Sequence, residues 1–193
     1  MMRRHLAPLL GLIVVLAACG VPTEDSARRT TRADVPFGLL DPDREPVSGA
    51  SPAGRVAVEI YLYSENDERL VPVERRLDDA ALRAVLAELE IGPTVRESGA
   101  DLVSALADAD GIASVGSEGG VAAVDLTPAF ADIGGSDQLI ALAQIVFTAT
   151  ARPGIGQVAF TLDGEQVEVP RDDSTLAGGS VSRSDYRAFT PST

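Results

Sequence analysis

The chain has 193 residues, a formal net charge of −13 and a single cysteine, a single histidine and no tryptophan. Every basic residue is arginine apart from that histidine, and both His5 and Cys19 lie within the first twenty positions. The remainder therefore has no imidazole, thiol or amine, which excludes a Ser-His-Asp triad, a Cys-His pair, a Schiff-base lysine and a His/Cys zinc site. The acidic balance also argues against nucleic acid as a partner, because counterion release needs clustered Lys or Arg.

Met1-Met2-Arg3-Arg4-His5 is a basic start, and Leu6 to Ala18 is apolar. That run is shorter than the roughly 20 residues a membrane span needs, and it fits the apolar core of a signal peptide. It ends Leu16-Ala17-Ala18-Cys19, which resembles the lipobox of bacterial lipoproteins. The resemblance implies cleavage after Ala18 and diacylglyceryl transfer to the Cys19 sulfur. Each buried acyl methylene is worth about 0.8 kcal/mol, so two chains anchor stably where one does not. The expected location is the extracytoplasmic face of a cell membrane, with residues 1–18 removed and the net charge moving to −15 as Arg3 and Arg4 leave.

Residues 19–54 are rich in Pro, Asp, Ser, Thr and Arg and read as a disordered tether. A coil of that length spans roughly 30 Å. Its one apolar cluster, Phe37, Leu39 and Leu40, reads as a loosely packed patch on the domain or a short docking segment.

From Val56, apolar positions alternate through Val58, Ile60 and Leu62, the pattern of a half-buried strand. After a polar turn at Ser64–Glu68, a second strand runs Leu70–Arg76, with Pro72 placing it at an edge. Asp78 or Asp79 is expected to cap a helix whose stripe is Leu82, Val85, Leu86 and Leu89, stopped by Gly92-Pro93. Thr94 to Gly111 reads as a linking segment. Ile112–Val115 and Val121–Leu126 form a hairpin, and Thr127-Pro128 opens a short helical turn containing Phe130. A longer helix with Ser136 as N-cap buries Leu139, Leu142, Ala143, Val146 and Phe147 and ends at Arg152-Pro153-Gly154. Val158, Phe160 and Leu162 are a strand, Asp163-Gly164 a tight turn, and Val167 and Val169 the return. Beyond Pro170 the chain is polar until Ser182–Ala188, which can form one or two helical turns.

The order β-β-α-β-β-α-β-β predicts an α+β domain over residues 55–170: a mixed, mainly antiparallel sheet with two helices packed on one face. Residues 171–193 read as a C-terminal tail.

Several stretches carry a family resemblance together: Val58-Glu59-Ile60-Tyr61-Leu62, Leu70-Val71-Pro72-Val73-Glu74-Arg75-Arg76, Ile91-Gly92-Pro93-Thr94 and Leu102-Val103-Ser104-Ala105-Leu106. To these add Val124-Asp125-Leu126-Thr127-Pro128-Ala129-Phe130, Leu142-Ala143-Gln144-Ile145-Val146-Phe147-Thr148 and Phe160-Thr161-Leu162-Asp163-Gly164. In this order and spacing they resemble the GerMN, or sporulation and spore germination, domain, from about Val56 to Val169. Ala107 departs from the pattern, which leads one to expect proline after Ser104-Ala105-Leu106. The resemblance implies an envelope lipoprotein of the actinobacterial, LpqB-like type, the LpqB relative being linked to a sensor kinase. It implies a domain that serves assemblies, with no catalytic residue set and no cofactor.

Glu59, Tyr61 and Tyr63 are the candidate partner-binding residues, expected on the exposed face of the first strand, unless a helix or the tail covers it. Asp108-Ala109-Asp110-Gly111 has a calcium-loop beginning but lacks its sixth-position glycine and twelfth-position glutamate, so it reads as a solvated turn. Glu65, Asp67 and Glu68 read as a hairpin tip, Gln144 as a capped or flank-facing polar residue, and Gly154-Ile155-Gly156 as lacking phosphate-binding context. The expected function is a lipid-anchored, non-catalytic envelope module whose partners are the membrane, through acylated Cys19, and an envelope protein. The alternatives are a small-ligand or cell-wall binding lipoprotein, which needs a pocket, and a carboxylate-dependent hydrolase, which needs two carboxyls across a cleft.

Overall fold

The structure, a computed structural model, describes residues 55–192. The expected signal peptide (1–18), the tether (19–54), the Ala18/Cys19 cleavage and lipidation site and the Phe37–Leu40 cluster all lie outside the described residues. The alternation at Val56 does build a strand, β1 (Val56–Ser64), which pairs antiparallel with β2 (Arg69–Leu77) in unbroken register from Val56↔Leu77 to Ser64↔Arg69. β2 lies at the sheet's edge, as Pro72 requires.

Helix α1 (Leu82–Ile91) buries Val85, Leu86 and Leu89. Its N-cap is Ala81, not Asp78 or Asp79; Asp79 instead accepts the Ala81 N–H (2.8 Å) just ahead of the first turn. Gly92 ends the helix at φ 83, and a Cβ there would stand 3.1 Å from Ala107 Cβ. The Thr94–Gly111 stretch is more than a link. It holds α2 (Val95–Ser98), closed by a Thr94/Glu97 capping box, and β3 (Leu102–Val103), which pairs with Tyr63 and Ser64 of β1. Ala107 donates its N–H to Ser104 O (3.2 Å), a bond proline cannot make.

β4 (Ile112–Glu118) and β5 (Val121–Leu126) form a hairpin whose loop is only Gly119-Gly120, so the first strand is longer than expected. After α3 (Pro128–Ala131), α4 (Gly135–Thr150) begins from Gly134 rather than Ser136 and crosses back to β6 (Gln157–Leu162), parallel to β5. Every residue from Ile140 to Ala149 is buried, because α4 meets α1, β1, β6 and the C-terminal segment on different sides.

Asp163 (φ 51) and Gly164 (φ 80) turn the chain into β7 (Glu165–Gln166). The return strand then breaks: β8 (Glu168–Pro170) leaves β6 and pairs with β9 (Leu176–Gly178). β10 (Ser180–Val181) comes back to β6, and a 3-10 helix (Arg183–Phe189) follows, begun by a Ser182/Asp185 capping box.

The α+β class with mainly antiparallel pairing holds. The strands divide, however, into a β2-β1-β3 sheet, a five-stranded sheet with path β10-β6-β5-β4 and β7 beside β6, and the β8-β9 ribbon, rather than one sheet. The segment set apart as a tail is part of the domain. Val181 and Tyr186 are fully buried in its core, and the Tyr186 hydroxyl donates to Pro170 O (3.1 Å).

Candidate interaction surface

The first strand's environment is set by two α4 side chains one helical turn apart. Thr148 Oγ1 accepts the Tyr61 N–H (3.0 Å), and Gln144 Nε2 donates to Tyr61 O (3.0 Å) and Val103 O (3.3 Å). Gln144 Oε1 accepts the Ala105 N–H (2.8 Å). Of the two readings, Gln144 is the capped polar residue and not a flank-facing one: it is fully buried and stitches α4 to β1 and to the turn after β3. Because both backbone groups of Tyr61 face α4, the opposing Pro72 presents its own backbone to the open edge of β2. The edge thus meets solvent at a residue with no N–H to offer.

The face expected to be exposed is largely covered. Tyr61 is 5 % exposed, with its ring 5.5 Å from that of Phe147 and its hydroxyl donating to Glu59. Arg183, from the start of the 3-10 helix, lies over both rings at 5.1 and 4.9 Å. It also donates to Thr150 Oγ1 (2.7 Å) and Phe147 O (2.9 Å). The α4 last turn carries no basic residue of its own, so Arg183 supplies the cation its negative end favours. Burial first, and the Glu59 contact second, raise the Tyr61 pKa. Tyr63 is half-buried, edge-on to Phe189 at 6.2 Å. Only Glu59 of the three stays exposed, lining a depression of about 370 Å³ with Pro72, Val73 and Glu74 on the outer side of the hairpin. The three do not form one open surface; the missing information is Arg183, whose distance along the chain hides it from strand periodicity.

A second polar joint lies at the rim. Arg75 of β2 makes a two-pronged bond to Glu97 (2.6 and 2.7 Å) and approaches Glu88 at 3.3 Å, tying β2 to α2 and α1. The Arg75 bond, with help from Thr94, pulls the Glu97 pKa down to about 2. The Thr94-x-x-Glu97 spacing is the sequence signal for this joint.

The remaining candidates are structural. Asp108 and Asp110 take left-handed conformations in a turn that Thr127 closes by donating to Asp110 O (2.8 Å). Asp67 bonds Ser64 at the β1–β2 tip, and Gly156 donates to Gly120 O (2.8 Å) just before β6. Among the described residues, no group of three His, Cys, Asp or Glu is placed to hold a metal ion, and no helix is long and apolar enough to cross a membrane. Thr161 and Gly164 lower the Asp125 pKa and Thr175 lowers that of Asp173; with Glu97 these carboxyls shift away from the range a general acid needs.

The family model for Germane, described as sporulation and spore germination, matches residues 59–168. The chain belongs to the Germane family. Two solved structures share the Germane fold. One is the tandem GerMN domains of the sporulation protein GerM from Bacillus subtilis, at 18% identity and a TM-score of 0.53. It aligns over 72% of this chain but 48% of that one, so this chain spans about half the tandem protein's length. The other is the first GerMN domain of the same protein, at 21% identity and a TM-score of 0.52, covering 67% of this chain and 98% of that one. At such identities the likeness concerns the fold. No curated protein matches the sequence.

Proposed function

We propose that this chain is a bacterial envelope lipoprotein, anchored through acylated Cys19, that presents its Germane domain as a non-catalytic module for binding or assembling with an envelope protein. The anchor half rests on Leu16-Ala17-Ala18-Cys19 at the end of a basic-then-apolar leader. The module half rests on one observation. Among the described residues, the buried polar side chains are occupied in holding the fold: Ser64 with Asp67, Ser104 with Leu89 O, Gln144 and Thr148 with β1, and the Tyr61 and Tyr186 hydroxyls with Glu59 and Pro170 O. None is left to converge on a substrate.

Metabolic labelling with an alkyne fatty acid tests the anchor. Wild type takes up label and partitions into detergent, and Cys19→Ala does neither; an unlabelled wild-type chain with a free amino-terminal thiol or a retained leader overturns it. Crosslinking in intact cells tests the module. Recovery of free monomer alone overturns that half.

A further inference from the structure

β4 ends the path of the five-stranded sheet, and among the described residues no strand pairs with its outer side. The loop between β4 and β5 has two residues, so Glu118 and Val121 are the closing pair, which exchanges both backbone bonds. Counting back, Gly116 and Ser114 also turn toward β5, while Val115 and Ser117 turn away. The other end agrees. A bulge between Ile112 and Ser114 resets the alternation and turns Ile112 outward. There its N–H donates to Glu90 Oε1 (2.9 Å) and its carbonyl accepts from Arg83 Nη2 (3.1 Å). Hydrogen bonds from α1 side chains thus seal the edge at Ile112. Among the described residues, no bond from outside the ladder reaches the backbone of Val115 or Ser117.

Open edges are usually guarded by proline, charge or a covering element. β2 has Pro72 facing out, flanked by Glu74 and Arg76. Ile112-Ala113-Ser114-Val115-Gly116-Ser117 has neither charge nor proline, and Ala113, Ser114, Gly116 and Ser117 are exposed. A depression of about 270 Å³ continues from Ser117 and Glu118, with Leu82, Arg152 and Ile155 on its walls. An unpaired backbone edge beside a small partly apolar hollow is the arrangement by which sheets take an added strand, the backbone giving affinity and the hollow choosing a side chain.

We propose that the β4 edge is the docking site for an extended segment of a partner protein in which apolar and cationic residues alternate, added as the next strand of the sheet. Charge selects this occupant. The processed chain carries −15, so a second copy is repelled. Beside the edge, Arg83 is paired with Glu90 (2.8 Å) and Arg152 donates to Ala80 O (3.0 Å), whereas the exposed Glu118 makes no ion pair among the described residues, so a basic strand is attracted and meets it at the strand's end. The proposal rests on the interaction-module reading and names its surface and partner chemistry.

The test is hydrogen exchange at single amides on the full-length chain in detergent, with a capped hexapeptide of alternating valine and arginine as probe. The Val115 and Ser117 amides slow by at least ~10-fold at saturating peptide while Gly116 is unchanged. The valine–glutamate counterpart has no effect. Ser117→Pro removes only an outward N–H and abolishes the protection; Glu118→Arg, which leaves the backbone alone, weakens the arginine peptide at least ~5-fold. No slowing at either amide overturns the proposal. So does slowing without peptide that grows with protein concentration, which identifies a second copy as occupant. A negative peptide result beside positive crosslinking in cells removes only this surface, whereas free monomer in cells removes the module reading itself.

Discussion

Two of the polar joints between elements of this domain lie at different depths. Gln144 and Thr148 are completely buried between α4 and β1, and both are neutral. Arg75, Glu88 and Glu97 sit at the rim where β2, α1 and α2 meet, their side chains 11%, 17% and 18% exposed. The deep joint has no water to fall back on, so each lost bond leaves a stranded backbone group. The rim joint is ionic, keeps some contact with solvent and responds to pH and salt. Depth decides which chemistry the fold uses, and substitutions at the two joints should behave differently.

The largest effect is expected for Gln144→Leu, which strands the Ala105 N–H and the Tyr61 and Val103 carbonyls together. Urea unfolding should show a loss of about 3–4 kcal/mol; a loss under about 1 kcal/mol would erase the contrast between the joints. Thr148→Val keeps the shape and removes only the acceptor for Tyr61 N–H, for about 1–2 kcal/mol by the same measurement. At the rim, Glu97→Gln should cost about 1 kcal/mol at neutral pH, because Arg75 keeps Glu88, and the cost should shrink in high salt.

The smallest and most specific effect is with pH. Glu97 has its pKa lowered from 4.5 to about 2 in the folded domain, so its stabilisation is complete above about 4.5 and is lost as pH falls toward 2. The stability gap between wild type and Glu97→Gln should close across that window, while the gap for Gln144→Leu stays constant. A gap for Gln144→Leu that closes in the same window would show that the two joints are not distinct.

Much of the fold is legible where periods are long. Alternation marks β1, the 3.6-residue stripe marks α1 and α4, and Asp163-Gly164 marks a turn because both positions need left-handed backbone. The stretch from Thr94 to Gly111 shows no period because its elements are four and two residues long. The polar run after Pro170 conceals single apolar anchors, Ala177, Val181 and Tyr186, that no window average detects. The candidate surface is less legible still. Alternation places Tyr61 and Tyr63 on the right side of the strand but carries no information about Arg183 and Phe189, which cover them. Pro72 announces the guarded edge, whereas the open edge of β4 emerges only from turn length, bulge and the bonds at Ile112 taken together.

Arg183 comes well after the helix whose end it closes over. A polypeptide emerging amino-terminus first, from a ribosome or through a translocation pore, therefore presents the last turn of α4 without a cation until Arg183 arrives. The closing bond from Arg183 to Thr150 spans 33 positions, so any protease or chaperone stationed at the exit meets that helix end without its cation in the meantime.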